Sequence, residues 1–520
     1  MSSLRITRAK VQWLGMALGP LAALVVGLLL PESYEDAAGK TIAFTVAGRA
    51  TVGMMVWMGT WWLTEAVEIE VTALLPLVMF PLLQIADINA AAAPYASKII
   101  FLFMGGFMLA RAMTRWGLDK RIALITLRLV GTSPNAMVAG FMIATAMLSA
   151  FVSNTATAAM MMPIALSVIG VVRAQRGLGE AQPNSDSPDH QLGPFGLNLM
   201  LGIAYAASIG GIATIIGTPP NSFLVGFLRK DIGAPYITDI SFAKWLLIGV
   251  PLVIVFLPLC YFMLTRVLFP IPFKTIEGGR ELINDQYRKL GPTRRGEWIT
   301  FIVFSITALL WITRPLIGWR DDDGKWWPLL PMLSDEVIAM AAGLALFCIP
   351  VSAKRREFTL QWSDAVKLPW GILILFGGGL SLASAVQANH VAEFLGSQTR
   401  QFQGVSPVLI ILIVTTAVIF LTELTSNIAT TSALVPVVAA LAPGLGIHPY
   451  ALAFPAAIAA SCAFMLPVAT PPNAIVFGTG YVTIPQMCRA GFWLNLIGIL
   501  LVMLLTLTLL GPVLGISLRV

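Results

Sequence analysis

The chain has 520 residues, of which 57% are hydrophobic and 11% charged, less than half the roughly 25% charge usual in a soluble domain. That excludes a soluble enzyme, and the continuous apolar runs exclude a membrane barrel, whose strands of about ten residues alternate in polarity. The net charge of +7 does not signal nucleic acid, because the basic residues cluster in short segments between apolar runs, where they set membrane orientation.

Arg5, Arg8 and Lys10 precede an apolar run near 11–30. It is longer than the roughly 7–15 residues of a signal core and no small-residue cleavage site follows, so it reads as the first span. Spans near 40–62, 71–86 and 97–115 follow, and Arg111, Arg115, Lys120, Arg121 and Arg128 gather where the last one ends. With a cytoplasmic N-terminus, these spans return the chain to the cytoplasm. The segment 134–172 has basic residues at both ends, including Arg173 and Arg176. It should therefore enter and leave on one side, as a re-entrant hairpin. Spans near 197–228 and 242–266 lead to a basic linker holding Lys274, Arg280, Arg288, Lys289, Arg294 and Arg295. Spans near 297–316, 334–352 and 366–387 come next, with Asp321, Asp322 and Asp323 in an external loop and Lys354, Arg355 and Arg356 on the basic side. A second hairpin, 406–441, then opens to the outside before spans near 449–482 and 490–514. The expectation is an all-α polytopic membrane protein of about eleven spans and two hairpins, with its C-terminus external. Arg229 and Lys230 fall on the outer side, against the charge rule. Cys260, Cys348, Cys462 and Cys488 lack metal-ligand spacing and read as small core residues.

The chain is also an internal duplication. Ser153-Asn154-Thr155 and Ser426-Asn427-Ile428 lie 273 residues apart, as do the glycine-rich stretches beginning at Phe103 and Phe376. Thr-Pro-Pro-Asn recurs from Thr218 and Thr470, 252 residues apart. The first half thus carries 21 extra residues, the length of the polar stretch Ala174 to Pro194, which reads as a loop insertion. The two halves cross the membrane in opposite senses, the common plan of secondary transporters.

Backbone that leaves a helix at membrane depth must be buried in protein or line a wet cavity. A Ser-Asn-Thr tip offers hydroxyl and amide donors and helix N-termini, which suit a carboxylate or other oxyanion. Its unpaired carbonyls suit a hard cation such as Na⁺. In each Thr-Pro-Pro-Asn, two prolines remove two amide donors and push the preceding threonine toward extended geometry, breaking the span. Isolated Ser, Asn and Thr more often join helices, at about 0.6 kcal/mol per hydrogen bond. Two copies in register with two glycine stretches and two breaks favour a site. Gly105, Gly106 and Gly377 to Gly379 are read as close helix packing, and no Walker-type lysine accompanies them.

On these residues the chain resembles the divalent anion/sodium symporter family of dicarboxylate, citrate and sulfate transporters. The resemblance rests on WWLTEAVEIEVTALLPLVMFP from Trp61, both Ser-Asn motifs, both Thr-Pro-Pro-Asn breaks and ASCAFMLPVATPPNAIV from Ala460 to Val476, which is similar to the family signature. It implies a homodimer whose scaffold (1–133 and 297–405) holds the interface. Two transport-domain parts (134–266 and 406–520), joined through the basic linker 267–296, would move as an elevator. It also implies substrate contacts at Ser153, Asn154, Thr155, Ser426, Asn427 and Thr470. One sodium site falls on Ser149, Ser153, Asn154 and Gly217, and the other on Thr422, Thr425, Asn427 and Ala469. Ile428 departs from the threonine of many dicarboxylate-transporting relatives and cannot donate to a carboxylate, so Thr430, Thr431 or water would have to compensate, or the anion would differ.

Neither motif contains Lys or Arg, so bound Na⁺ is expected to offset the charge of a dianion. The resulting expectation is a sodium-coupled importer of a C4 dicarboxylate such as succinate, malate or fumarate, in a bacterial inner membrane, with lipid around it and no nucleic-acid partner. A sodium-independent exchanger, or a carrier of sulfate or citrate, is the alternative. A channel fits the inverted hairpins poorly, and an enzyme would need a metal cluster or nucleophile–base pair that the intramembrane segments do not offer. Proton coupling would need a titratable group in the site. His190, His390 and His448 lie outside it, and Glu423 is the one acidic candidate, favoured as a structural carboxylate paired to backbone N–H groups or a nearby hydroxyl.

Overall fold

A computed structural model describes residues 2–517 except 36–39, 132, 176–192, 277, 317, 321–325, 329–331, 355 and 403. Most of the loop insertion, with Arg176 and His190, lies outside the described residues, as do Arg355 and Asp321 to Asp323.

Among the described residues, eight helices are long and apolar enough to cross a membrane: Ala9–Leu29, Ile88–Trp116, Asn154–Ala174, Gly193–Gly211, Phe242–Leu268, Arg295–Thr313, Trp370–Ala388 and Ile484–Thr508. Helices Val46–Thr64 and Asp335–Cys348 stand where two more spans were expected. Shorter apolar helices complete the plan. Pro134–Ser149 pairs with Asn154–Gln175, and Pro407–Thr422 with Asn427–Leu441, as the two hairpins. Gly193–Gly211 and Pro219–Arg229 form one broken span, and Tyr450–Ala459 and Pro471–Phe477 the other. The third expected region, near 71–86, is also broken, into Ile69–Thr72 and Leu75–Leu82. The N-terminal helix starts at Ser2, so the basic cluster forms its first turns.

Side-chain ties sort the helix ends into two faces. On the face of the basic linker, the Trp116 indole donates to Thr359 O at 2.8 Å, and Arg121 pairs with Glu297 at 2.7 Å. On the opposite face, Asn389 donates to Ile85 O at 3.3 Å, and Phe44 stacks on Phe394 at 4.4 Å. Helix Lys98–Trp116 therefore ends on the linker face, and its repeat counterpart Trp370–Ala388 ends on the other. The halves are inverted. Phe103 and Phe376, equivalent by the 273-residue offset, meet edge to face at 5.1 Å, as residues beside a two-fold axis must.

The glycine stretches do what was expected of them. A Cβ on Gly105 would strike the backbone of Ala339, and one on the equivalent Gly378 would strike that of Ala73. Among the elements that were not anticipated are two helices. Leu118–Val130 is a separate helix that turns off after Gly117, at φ +74°, burying Leu124 and Leu127 while exposing Ile125 and Leu129. Gly279–Lys289 is a helix inside the basic linker. Cys260 and Cys462 are buried as expected, whereas Cys348 ends its helix exposed.

Arg229, expected on the outer side against the charge rule, does not present a bare cation. Its guanidinium holds Asp239 at 2.7 Å and also pairs with Glu336. Nearby Asp231 is buried in the loop after that helix and lines a cavity of about 540 Å³ with Gln387 and His390. Burial pushes its carboxyl up to about 7, against the charge of Lys230 and a hydrogen bond from Ser384. An acid raised in the folded state stabilises fully below its unfolded value of about 3.9, and that contribution is lost as pH rises through about 7. The melting temperature of the purified protein should therefore fall between about pH 4 and 7 and level off above, and Asp231→Asn should flatten that slope. An unchanged slope would assign the titration elsewhere.

Candidate functional site

Each hairpin tip is a short non-helical turn between two helices, and the same contacts recur at both. In the first, Ser149 Oγ lies 2.6 Å from Asn154 Oδ1 and 2.7 Å from Ala207 O. In the second, Thr422 Oγ1 lies 2.8 Å from Asn427 Oδ1 and 3.0 Å from Ala460 O. A hydroxyl has one proton and can donate to only one of its two neighbours. Each tip thus gathers three oxygens around a single proton, a donor-poor cluster that a hard cation satisfies. Na⁺ fits the residues present.

The broken spans close these clusters. A methyl on Gly211 would come within 2.7 Å of Asn154 Oδ1 and 3.2 Å of Gly217 O, so Asn154 and Gly217 converge. Asn221, the last residue of the first Thr-Pro-Pro-Asn, donates to Gly211 O at 3.1 Å and Thr214 O at 2.8 Å. Asn473 repeats this with Ala463 O at 3.2 Å and Leu466 O at 3.1 Å, the carbonyls ten and seven residues upstream in both cases. The two asparagines strap the breaks and orient their peptide planes. Sequence reasoning assigned the break to the prolines and gave the asparagines no role, although their duplication was visible.

Each tip is also tied to the neighbouring break at equivalent positions by different chemistry. In the first half, the Thr214 hydroxyl donates to Ala150 O. In the second, Glu423 stands at the position of Ala150 and Leu466 at that of Thr214. The buried Glu423 carboxylate accepts from Phe464 N at 2.7 Å, Met465 N at 2.9 Å, Leu466 N at 3.2 Å and Asn495 Nδ2 at 2.8 Å. Every bond requires it as an acceptor, and a proton there would displace a donor. This geometry matches the structural carboxylate favoured above.

The remaining expected residues divide. Ser153 and Thr155 are exposed, and the Ser153 hydroxyl caps Ala156 N at 3.3 Å. Ser426 is half-buried and lines a cavity of about 600 Å³ with Gln12, Met16 and the segment Glu65 to Glu70. Thr470 is buried and caps Asn473 N at 3.3 Å, with Ala469 in the turn before it. Thr425 faces Thr430, 2.6 Å between hydroxyls, and Thr431 donates to Asn427 O at 2.7 Å. The Thr430 and Thr431 hydroxyls are thus both engaged within the hairpin. Ile428 packs against the apolar cluster of Met54, Met58, Trp62 and Leu375. Among the described residues, the cavity at Ser426 is lined by Glu65, Glu68 and Glu70 and by no Lys or Arg.

The halves exchange packing partners. The helix after the first Ser-Asn motif packs on Pro471–Phe477, and the helix after the second packs on Pro219–Arg229.

Comparison with known proteins agrees with this plan. The family profile described as the sodium:sulfate symporter transmembrane region matches residues 15–516. The chain is 42% identical over 508 residues to the sodium-dependent dicarboxylate transporter SdcS of Staphylococcus saprophyticus, covering 97% of this chain and 93% of that one. It is 41% identical over 509 residues to SdcS of Staphylococcus aureus, covering 98% and 93%. Among solved structures, the Alcanivorax borkumensis YdaH transporter superposes with a TM-score of 0.58 at 15% identity, over 99% of this chain and 100% of that one. Neisseria gonorrhoeae MtrF gives 0.58 at 12% identity, over 96% and 94%. These two likenesses concern the fold alone. The full-length profile match and the identity to SdcS establish that the chain belongs to the divalent anion/sodium symporter family, the sodium:sulfate symporters.

Proposed function

We propose that this protein imports a dianionic C4 dicarboxylate, such as succinate, malate or fumarate, by sodium symport. The observation that carries the proposal is the duplicated donor-poor oxygen cluster, Ser149 with Asn154 and Thr422 with Asn427. Sodium at the two tips supplies the positive charge that the acidic cavity lining cannot. The naming of both staphylococcal relatives as sodium-dependent dicarboxylate transporters supports the same cation and anion.

In this reading sodium binds first and completes the anion site. Ser149, Asn154 and Gly217 hold one ion, with Ser153 beside them, and Thr422, Thr425, Asn427 and Ala469 hold the other. Ser153, Asn154, Thr155, Ser426, Asn427 and Thr470 bind the substrate. The hairpins and broken spans, 134–266 and 406–520, move together against a scaffold of 1–133 and 297–405, as an elevator in a homodimer. The basic linker faces the cytoplasm. With more than two Na⁺ per dianion, each net charge entering gains about 2.3 kcal/mol per 100 mV.

The test is uptake of radiolabelled succinate into proteoliposomes under an inward Na⁺ gradient or equimolar K⁺. Uptake confined to the Na⁺ arm is expected. Uptake in both arms that requires internal succinate would replace symport with exchange. No uptake in either arm, with sulfate or citrate carried instead, would overturn the dicarboxylate assignment.

A further inference from the structure

The N-terminal helix Ser2–Leu29 and helix Val46–Thr64 pack through small residues, with Gly19 against Trp61 and Gly53 against Ala23. Toward the outer face they part. At Gly27 the nearest neighbour a Cβ would meet is Arg49 O, at 3.7 Å. The gap is a crevice of about 480 Å³, walled by Ala23, Leu24, Ala50, Met54 and Met79, with Arg49 its one charged residue among the described residues. Its mouth faces the surrounding membrane, since Leu24, Leu28 and Val46 are 60%, 72% and 69% exposed.

Arg49 lacks a full set of partners. Its Nε is buried with no acceptor among the described residues. The paired carboxylate, Glu32, lies 3.7 Å from Nη1 and is 87% exposed. A buried donor facing an apolar crevice is unfavourable unless an acceptor reaches it. Arg49 is three residues into its helix, about 5 Å from the helix start. A guanidinium fork matches phosphate oxygens with two parallel hydrogen bonds.

We infer that this crevice binds an anionic phospholipid, its acyl chain along Ala23 and Ala50 and its phosphate on Arg49. A zwitterionic lipid brings a phosphate with its own ammonium and competes poorly. A second copy of the chain would bury Arg49 against an apolar wall and leave the same donor unmet.

The experiment is native mass spectrometry of the full-length protein in detergent, titrated with phosphatidylglycerol and phosphatidylcholine. Wild type should retain phosphatidylglycerol over phosphatidylcholine by roughly five-fold, the effect of one Arg near an anionic headgroup. Arg49→Gln should bring the two lipids to parity, and Arg49→Lys should keep part of the preference. Ala50→Leu, which fills the crevice and leaves the charge, should lower retention of both. An undiminished preference in Arg49→Gln, or full retention in Ala50→Leu, would overturn the site. So would disulfide cross-linking of Leu28→Cys between copies in nanodiscs, which would give the crevice to a second copy.

Discussion

Glu423→Ala is expected to abolish sodium-dependent uptake and to lower the melting temperature, the larger loss of the two being transport. The carboxylate accepts from the three consecutive amides of Phe464, Met465 and Leu466 and from Asn495. Removing it strands those donors in a buried break, at about 1–3 kcal/mol for each group left unsatisfied. The three peptide planes then lose the orientation that turns their carbonyls away from Glu423. Glu423→Gln keeps one acceptor oxygen but turns an NH₂ toward backbone N–H groups, so it should fall between wild type and alanine and remain sodium-dependent. The equivalent tie in the first half is one hydrogen bond, Thr214 to Ala150 O, and Thr214→Val should cost only about 1 kcal/mol. Wild-type uptake in Glu423→Ala would remove the residue from the machinery. Uptake by Glu423→Gln that had become independent of sodium would make it a coupling group instead.

That asymmetry could not be read from the repeat. Glu423 and Leu466 are aligned with Ala150 and Thr214 by the two offsets, but nothing in the residue types says that a side chain in one half does the work of a backbone carbonyl in the other. The hairpins themselves were legible, because basic residues flank 134–172 and the 273-residue offset carries that inference into the second half. Inversion followed from the same charges, and the Phe103–Phe376 contact expresses it in space. The helices Leu118–Val130 and Gly279–Lys289 were missed for a physical reason. Both are amphipathic, and their charged faces look like the loops that the charge rule counts. The alternation of Leu118, Ile122, Ile125 and Leu129 with Leu124 and Leu127 was the available signal. The effect of Ile428 was also beyond reach from the chain alone. Its side chain packs on the apolar wall of Met54, Met58 and Trp62, while the Thr430 and Thr431 hydroxyls bond within the hairpin.

Asn427→Asp should separate the two ligands that the proposed symport joins. In the structure the carboxamide oxygen of Asn427 lies 2.8 Å from the Thr422 hydroxyl, and its Nδ2 has no partner among the described residues. Asn154 repeats the arrangement with Ser149. One face of each carboxamide therefore offers an oxygen to the cation, and the other leaves N–H donors for the anion. Aspartate keeps the oxygen, adds a negative charge beside the cation, and replaces the donor with an acceptor. Two like charges about 4 Å apart repel by about 4 kcal/mol at the effective dielectric of a protein surface, equivalent to roughly a thousand-fold in affinity. Sodium binding by Asn427→Asp, followed by tryptophan fluorescence or calorimetry, should thus be retained or tightened, while succinate binding should disappear at any sodium concentration. Asn427→Ala removes both faces and should lose both ligands. Linkage sharpens the comparison, because in wild type saturating succinate must tighten sodium by the same factor that sodium tightens succinate. In Asn427→Asp that mutual factor should vanish with sodium affinity intact. Equal losses of sodium and succinate in the aspartate and alanine variants would show that the carboxamide only shapes the tip, and the coupling would then have to run through the strapped breaks at Asn221 and Asn473.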